Sequence, residues 1–279
     1  MRSGARLSVA DAVLLGLVEG LTEFLPVSST GHLAVAQDLL DIGTGTRGQA
    51  AADAYVIVVQ GGAVTAIGWL YRSRLLGAGT AILGRRDDSA RDLGWALVAA
   101  FVPAGVAGLL LGDVIKDRLF GIWPIVLAWA VGGVVILVWS LREKTGNKLL
   151  EDVRICDGVL IGGAQALALW PGVSRSLVTI LAALACGLAM KAAVEFSFLL
   201  GFLTLGAATA YEMINSGSLI SEELGLLAPV VGFIAALGSA AVAVAWMLRF
   251  LEHKGLAVFG WYRLVVAALV AGLTTTTLL

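Results

Sequence analysis

The sequence predicts an all-α polytopic integral membrane protein, with six transmembrane helices and two re-entrant helical hairpins in two inverted-topology repeats. Of its 279 residues, 59% are hydrophobic and only 14% are charged, which lies far outside the composition of soluble domains. Six apolar stretches are long enough to cross a bilayer. Two further apolar stretches are each broken by a proline within a cluster of small polar residues.

Charge and cysteine content exclude several classes of function. The net charge is −1, so the chain has no basic field to hold nucleic acid. Two cysteines cannot form a disulfide framework or a Cys-based metal site. Asp11, Glu19 and Glu23 interrupt the first apolar stretch, so we expect it to belong to the mature protein and not to a cleaved signal peptide.

The full crossings are predicted from length, since about 20 apolar residues are needed to span the hydrocarbon. They are residues 51–70, 94–111, 122–141, 192–211, 226–248 and 258–279.

The broken stretches are residues 9–40 and 158–188. Proline lacks a backbone donor and pushes the preceding residue out of the helical region, so Leu25 and Trp170 should each end a half-helix. Irregular backbone at membrane depth is tolerated only where it is buried in protein or lines a wet cavity. The two tips therefore predict a cavity; the alternative is a pair of kinked transmembrane helices.

Loop charges predict the orientation. If both broken stretches return to the side they entered, 12 Lys and Arg residues lie on one side of the membrane and 5 on the other. The positive-inside rule makes the richer side cytoplasmic and places both termini outside.

The two halves of the single membrane domain are predicted to repeat, over about residues 1–141 and 155–279. Aligning Pro26 with Pro171 places Ser29 on Ser174 and Thr30 on Arg175, and three crossings follow each hairpin. Because each repeat has an odd number of crossings, the second copy lies inverted in the membrane. The two hairpins then enter from opposite faces, so their tips should meet near the midplane.

The two tips suit an anion. Ser29 and Ser174 are placed to cap the returning half-helices, whose free N–H groups would point into the cavity. Two opposed helix N-termini with Arg175 between them favour phosphate, because several oxygens need donors from several directions. The alternative is that the serines only cap their helices.

Three further side chains of the first hairpin could carry chemistry. Glu19 and Glu23 are four residues apart and share one helix face, where two buried carboxylates require a cation, a proton or substrate. A structural pairing of either with Arg175 is the alternative. His32 could reach back to the Ser29 hydroxyl and act as a base, or it could simply pack.

Other polar and small residues have less specific interpretations. Asp53, Gln60, Glu195 and Arg263 could close the cavity or pair helices, and snorkelling is expected for Asp53 and Arg263 near span ends. The Gly61-Gly62 and Gly132-Gly133 pairs predict close helix packing.

Two motifs carry a resemblance to a known family. Residues 17–32, LVEGLTEFLPVSSTGH, closely resemble the signature of the bacitracin-resistance type of undecaprenyl-diphosphate phosphatase, a membrane family that recycles the lipid carrier of cell-wall synthesis. Residues 165–176, QALALWPGVSRS, followed by Thr179 and Ile180, resemble its second signature, and similarity continues around Gln60, Glu195 and Tyr262-Arg263.

The resemblance implies hydrolysis of undecaprenyl diphosphate to the monophosphate and inorganic phosphate, with bacitracin resistance as a consequence. It implies an inner-membrane enzyme whose site opens to the outer face and whose activity is stimulated by Mg²⁺ or Ca²⁺. The partners it implies are a polyprenyl diphosphate substrate, the surrounding membrane lipids and a possible second copy in a homodimer. Glu19 and Glu23 match the acidic pair and candidate metal ligands, Ser29 the proposed nucleophile, and His32 the catalytic histidine. The residues expected to bind the substrate phosphate, with Arg175 also catalytic, are Ser28, Thr30, Ser174, Arg175, Ser176 and Thr179.

The expected chemistry leaves alternatives open. Ser29 would attack the terminal phosphorus while His32 or Glu23 takes its proton, but water or His32 could instead be the nucleophile. The chain departs from the family where Leu177 and Val178 replace the usual glycine and alanine. The rival function is a lipid-phosphate transporter or flippase that uses the same inverted-repeat cavity.

Overall fold

The described part of the chain is predominantly α-helical, as predicted. The computed structural model describes residues 7–40, 42, 46–84, 87–142 and 146–276, which contain eleven α-helices, two 3₁₀ helices and no β-strand. Five of the cations counted for the orientation, Arg2, Arg6, Arg85, Arg86 and Lys144, lie outside these residues. The side chains of Arg47, Asp53 and Lys116 lie outside the description as well. The helices are α1 (Val9–Thr22), α2 (Ser29–Leu39), α3 (Thr46–Leu70), α4 (Arg72–Ile82), α5 (Asp88–Leu119), α6 (Ile122–Ser140), α7 (Ile155–Gln165), α8 (Arg175–Ala185), α9 (Met190–Leu224), α10 (Leu227–Lys254) and α11 (Ala257–Thr275).

Five of the six predicted crossings are confirmed as helices long and apolar enough to span a membrane, namely α5, α6, α9, α10 and α11. The sixth predicted crossing, residues 51–70, lies within α3, which is bent by 78° at Tyr71 against α4. The pair α3 and α4 forms one broken span or a re-entrant loop, and as one span it gives the sixth crossing. The bend falls where the apolar run ends, and the Arg72 guanidinium lies 4.7 Å from the centre of the Trp69 ring. Tryptophan and arginine are typical of a membrane–water boundary.

The two proline-broken stretches form helical hairpins, α1 with α2 and α7 with α8, in which the halves contact each other. Each half-helix has 11 to 14 residues, too few to cross the hydrocarbon. In the second hairpin a 3₁₀ turn continues to Leu169, and Trp170 is extended before Pro171, as predicted. In the first, α1 ends at Thr22, three residues earlier than expected.

Each hairpin packs against the opposite half of the chain. Helix α1 contacts α10 while α7 contacts α5, and α3 packs on α9 as α6 packs on α11. The α1–α10 and α5–α7 contacts are close because glycines (Gly16 and Gly20, Gly158 and Gly162) face backbone carbonyls of the partner helix. Exchanging the two halves of the chain maps the α1–α10 pair onto the α5–α7 pair, and the α3–α9 and α6–α11 pairs onto themselves. The repeat over residues 1–141 and 155–279 stays a prediction.

Close packing at the glycine pairs is confirmed. A Cβ on Gly62 would collide with the Phe233 carbonyl oxygen of α10. A Cβ on Gly133 would lie 2.9 Å from the Gly260 carbonyl oxygen of α11. These glycines therefore allow helix backbones to approach, and they do not form phosphate loops.

Charged residues from loops predicted to share one side come together in the structure. Arg74 donates to Glu151 at 2.6 Å, and Glu195 lies in the electrostatic environment of Arg74, Lys191 and Glu151. The hydrogen bond from Arg74 lowers the pKa of the Glu151 carboxyl below its usual value. This clustering agrees with the predicted grouping of the loops.

Candidate functional site

The tips of the two hairpins meet, as the sequence predicted. We call residues 23–28 the first tip and residues 170–174 the second tip. The Ser176 hydroxyl donates to the Leu25 carbonyl at 2.7 Å, and Arg175 Nη2 donates to Glu23 Oε1 at 2.9 Å. The Leu25 carbonyl of the first tip is thus partnered by a side chain of the second hairpin, as irregular backbone at membrane depth requires.

The two tips share an unusual backbone conformation. Ser28 and Ser174 have φ of 71° and 75°, and they are the two non-glycine residues with positive φ in the described chain. This region is unfavourable for side chains with a Cβ and is maintained only where surrounding contacts enforce it. Each serine directly precedes the returning helix, so Ser28 corresponds to Ser174 and Pro26 to Gly172.

This correspondence corrects the alignment made from sequence by one residue. The N-cap of α2 is Ser28, and Ser29 is the first helical residue. Ser29 therefore corresponds to Arg175, the first residue of α8. The prolines suggested another register because Pro171 lies one residue further from its helix than Pro26 does.

A cavity of about 110 Å³ lies between the tips. It could hold a phosphate-sized group, whereas a polyprenyl chain must remain outside it. Most of its lining comes from the two tips and from the first residues of α2 and α8. The 3₁₀ turn before the second tip adds Ala168, and the spanning helices add Gln60 and Leu205. The full lining is Glu23, Ser28, Ser29, Thr30, Gln60, Ala168, Trp170, Gly172, Ser174, Arg175 and Leu205.

Glu23 connects a hydroxyl with a guanidinium inside the cavity. Its Oε2 accepts the hydrogen of the Ser29 hydroxyl, and its Oε1 accepts from Arg175 Nη2. All three residues line the cavity, and the Glu23 and Ser29 side chains are buried. A hydroxyl bound to a carboxylate beside a fixed cation is the arrangement needed to activate a nucleophile against an anionic substrate.

Arg175 is held from two further directions. Its Nη1 donates to the Ser197 carbonyl at 2.9 Å, and its guanidinium lies 5.4 Å from the centre of the Phe24 ring. The Arg175 Nε is buried and has no partner among the described residues. The guanidinium is therefore oriented while its Nε–H donor remains without a partner among the described residues.

Glu19 lies behind Glu23 and does not line the cavity. It is 1% exposed, its carboxyl contacts that of Glu23, and its Oε1 has no hydrogen-bond partner among the described residues. Two adjacent buried carboxyl groups with an unpaired oxygen require a shared proton or a cation.

The start of α2 offers more donors to a ligand than the start of α8. The Ser174 hydroxyl accepts from the Leu177 N–H at 3.2 Å, so it caps its own helix, whereas Ser28 makes no such bond. The first-turn amides of α2 therefore lack a side-chain cap. Ser28, Thr30 and Gln60 line the same cavity, and within the described part of the chain their side chains have no hydrogen-bond partner.

The expected contact of His32 with Ser29 is not present. His32 Nδ1 donates to the Ser28 carbonyl at 2.7 Å, which leaves Nε2 to accept from the Tyr262 hydroxyl at 2.8 Å. The ring also packs edge-on to Trp129. His32 turns away because the carbonyl of positive-φ Ser28 is within its reach, while the Ser29 hydroxyl is taken by Glu23.

Ser176 and Thr179 lie behind the cavity. Ser176 donates to the Leu25 carbonyl. The Thr179 and Ser197 hydroxyls share a hydrogen bond of 2.7 Å, and the carbonyl of the same Ser197 accepts from Arg175. Both are fully buried and absent from the lining, so they organise the site from outside it. Leu177 packs in the hydrophobic core, and neither it nor Val178 narrows the cavity.

Two of the other polar candidates are placed differently from expectation. Glu195 belongs to the charged cluster around Arg74, away from the cavity lining. Arg263 was expected to snorkel and is instead 0% exposed, because backbone carbonyls in the interior satisfy its guanidinium. Ser197, Trp129 and Tyr262 support the site as well. The family resemblance already included Tyr262, whereas nothing in the sequence pattern around Trp129 distinguished it from a packing residue.

A substitution at Gly201 tests whether the position of Arg175 matters. A Cβ there would lie 2.6 Å from Arg175 Cζ and 2.7 Å from Nη2, so Gly201→Ala should displace the guanidinium while favouring the helix. We expect catalytic turnover by folded protein to fall about 100-fold, because misplacing a catalytic group by about 1 Å can lower the rate by that factor.

Gly206→Ala on the same helix is the matched control, because its Cβ would make an ordinary contact of 3.7 Å with Val64. Equal activity in the two alanine variants would contradict the assigned role of Arg175.

Comparison with known proteins identifies relatives over almost the whole chain. Residues 12–269 match the family model described as bacitracin resistance protein BacA. A protein of Sorangium cellulosum named undecaprenyl-diphosphatase is 46% identical over 267 residues, covering 93% of this chain and 84% of the relative. Undecaprenyl-diphosphatase 1 of Chromobacterium violaceum is 42% identical, covering 94% of each chain.

Proposed function

Because this chain belongs to the bacitracin resistance protein BacA family, we infer that it is a membrane phosphatase that hydrolyses undecaprenyl diphosphate to undecaprenyl phosphate and inorganic phosphate. It is a multi-pass protein of the bacterial inner membrane, and bacitracin resistance follows from this activity. Its substrate is a polyprenyl diphosphate lipid.

The observation that carries a mechanism is the hydrogen bond from Ser29 to Glu23 beside Arg175. We propose that the terminal phosphate enters the cavity between the tips, bound by Arg175, the α2 amides and the hydroxyls of Ser28 and Thr30. Each is a donor lining one small space, and helix N-termini favour anions.

In the first step Ser29 Oγ attacks the terminal phosphorus, and its proton passes to Glu23 Oε2. The bond from phosphorus to the bridging oxygen breaks, and undecaprenyl phosphate leaves with the bridging oxygen and the electron pair. Arg175 and the helix amides stabilise the negative charge on the transferring phosphoryl group.

In the second step water attacks the phosphoserine. Glu23 orients this water and returns its proton to Ser29 Oγ as the phosphorus–Oγ bond breaks, so the Ser29 hydroxyl re-forms and inorganic phosphate leaves with the oxygen and both hydrogens of the water. We assign the proton transfers to Glu23 and not to His32, because the carboxylate contacts the hydroxyl directly while both histidine nitrogens are engaged elsewhere. His32 orients the start of α2 through the Ser28 carbonyl.

The acidic pair fits a divalent cation, although no group of three or more His, Cys, Asp or Glu side chains among the described residues is placed to hold one. The unpaired Glu19 Oε1 next to Glu23 is the supporting observation. Mg²⁺ and Ca²⁺ accept carboxylate oxygens, and Mg²⁺ is commonly held by one or two carboxylates together with substrate phosphates. The cation would neutralise charge on the diphosphate.

We propose that the cavity opens toward the outer face, since positive loops group on the other side. The polyprenyl tail stays in lipid, so the headgroup enters laterally. A homodimer remains a prediction of the family resemblance.

The test is phosphate release from undecaprenyl diphosphate by detergent-purified protein, with Mg²⁺ or Ca²⁺ and after removal of cations by EDTA. We expect cation-dependent release that Ser29→Ala abolishes. Ser239→Ala is the matched control, because this buried serine donates to backbone carbonyls of its own helix α10 and of α1 and does not line the cavity.

The outcomes separate the alternatives. Retained activity in Ser29→Ala would make water or His32 the nucleophile, and activity unaffected by EDTA would remove the cation from the proposal. Absence of release by folded wild-type protein would favour the lipid-phosphate transporter.

A further inference from the structure

Arg263 of α11 is a fully buried arginine whose surroundings contain no acidic partner in the described chain. Its guanidinium donates instead to four backbone carbonyls. A charge inside a membrane protein is costly and is retained where it organises or carries a function. The identity of the four carbonyls indicates what it organises.

Two of the carbonyls belong to the two tips. Arg263 Nη1 donates to Pro26 O at 3.2 Å, and Nη2 donates to Gly172 O at 2.8 Å. Pro26 and Gly172 are equivalent positions, each two residues before a positive-φ serine. One guanidinium therefore joins corresponding points of the two tips.

The other two carbonyls belong to α6. Nη2 donates to Ala128 O at 2.8 Å and Nε donates to Trp129 O at 3.3 Å. The Trp129 indole in turn donates to Val27 O of the first tip at 2.9 Å. The contacts thus link both tips to one spanning helix.

The sequence leaves room for this side chain. A Cβ on Gly132 of α6 would lie 2.7 Å from Arg263 Cζ and 2.8 Å from Nε. Arginine carries five N–H donors in a rigid planar group, which lysine cannot reproduce.

We propose that Arg263 is a positioning residue that holds the two tips at the separation at which Ser29 and Glu23 face Arg175. It does not line the cavity, so it acts through the tip backbone and not on the substrate. The proposal rests on the phosphatase function above. Catalytic groups must be held within about 0.5 Å of their productive geometry, so loosening one tip against the other should lower turnover.

Two variants test this proposal: Arg263→Lys changes the side chain itself, and Gly132→Ala changes the space that it occupies. The first keeps the charge but not the four-carbonyl geometry, and the second keeps arginine but displaces its guanidinium. For both we expect kcat per folded molecule to fall at least about tenfold, while KM changes by less than about threefold because the groups that bind phosphate remain.

Gly272→Ala on α11 is the matched control, since a Cβ there meets nothing within 4 Å. Phosphate release is measured on monodisperse protein, with the folded fraction taken from thermal unfolding. If Arg263→Lys does not fold, Gly132→Ala decides the outcome.

A merely structural role would lower the unfolding temperature and leave kcat per folded molecule unchanged, which would overturn the proposal. A rise in KM at constant kcat would also overturn it, because Arg263 would then act in binding. Inactive wild-type protein would count against the phosphatase function itself, so the two failures are distinguishable.

Discussion

Glu23→Gln is expected to reduce kcat about 10³-fold, within the range for loss of a general base. The amide cannot accept the Ser29 proton, and it replaces the carboxylate oxygen that pairs with Arg175. The shape of the side chain is kept, so the tips should stay in contact through Ser176 and Leu25. The measurement is steady-state phosphate release at saturating substrate.

Glu151→Gln is the control for removing a carboxylate elsewhere. Glu151 forms a half-exposed ion pair with Arg74, and exposed pairs contribute only about 0–1 kcal/mol, so activity should not change. Loss of less than about tenfold in Glu23→Gln would show that Glu23 is not the base, and would return His32 to consideration.

Arg175→Lys should also reduce kcat about 10³-fold, at the lower end of the effect of a transition-state arginine. Lysine keeps the charge, but its three N–H donors radiate from one nitrogen, so it cannot reproduce the positions of the two guanidinium nitrogens that bind the Ser197 carbonyl and Glu23. Turnover and thermal stability should be measured together.

Arg175→Ala is less informative, because it leaves Glu19 and Glu23 buried without a cation, and breaking a buried pair costs about 3–5 kcal/mol. Arg74→Lys in the exposed pair with Glu151 is the matched control and should remain fully active. An active Arg175→Lys enzyme would assign Arg175 a purely electrostatic role.

The sequence was most informative where a local rule applies. Proline before a polar cluster predicted both broken hairpins, and Trp170 is extended before Pro171 as that rule requires. The spacing of Glu19 and Glu23 predicted adjacent carboxylates, which the structure confirms. The bend between α3 and α4 was not predicted, because no proline or glycine marks Tyr71.

Contacts between distant segments were less predictable. His32 was expected to bind Ser29 because they are three residues apart, yet its partner Tyr262 lies 230 residues away. Arg263 near the end of a span was expected to reach the headgroups, but carbonyls of two tips and α6 surround it.

By itself, then, the sequence determined the membrane class, the positions of the two breaks and the residue types that the tips present, since each depends on hydrophobic length, proline geometry or helix periodicity. Tertiary structure alone decided which of these residues contact one another. It turned Glu23 toward Ser29 and Arg175, placed Glu19 behind them, and buried Arg263 between the tips. The reason is that a buried polar side chain takes its partner from whatever backbone or side chain packing brings within reach, and chain separation does not restrict that choice.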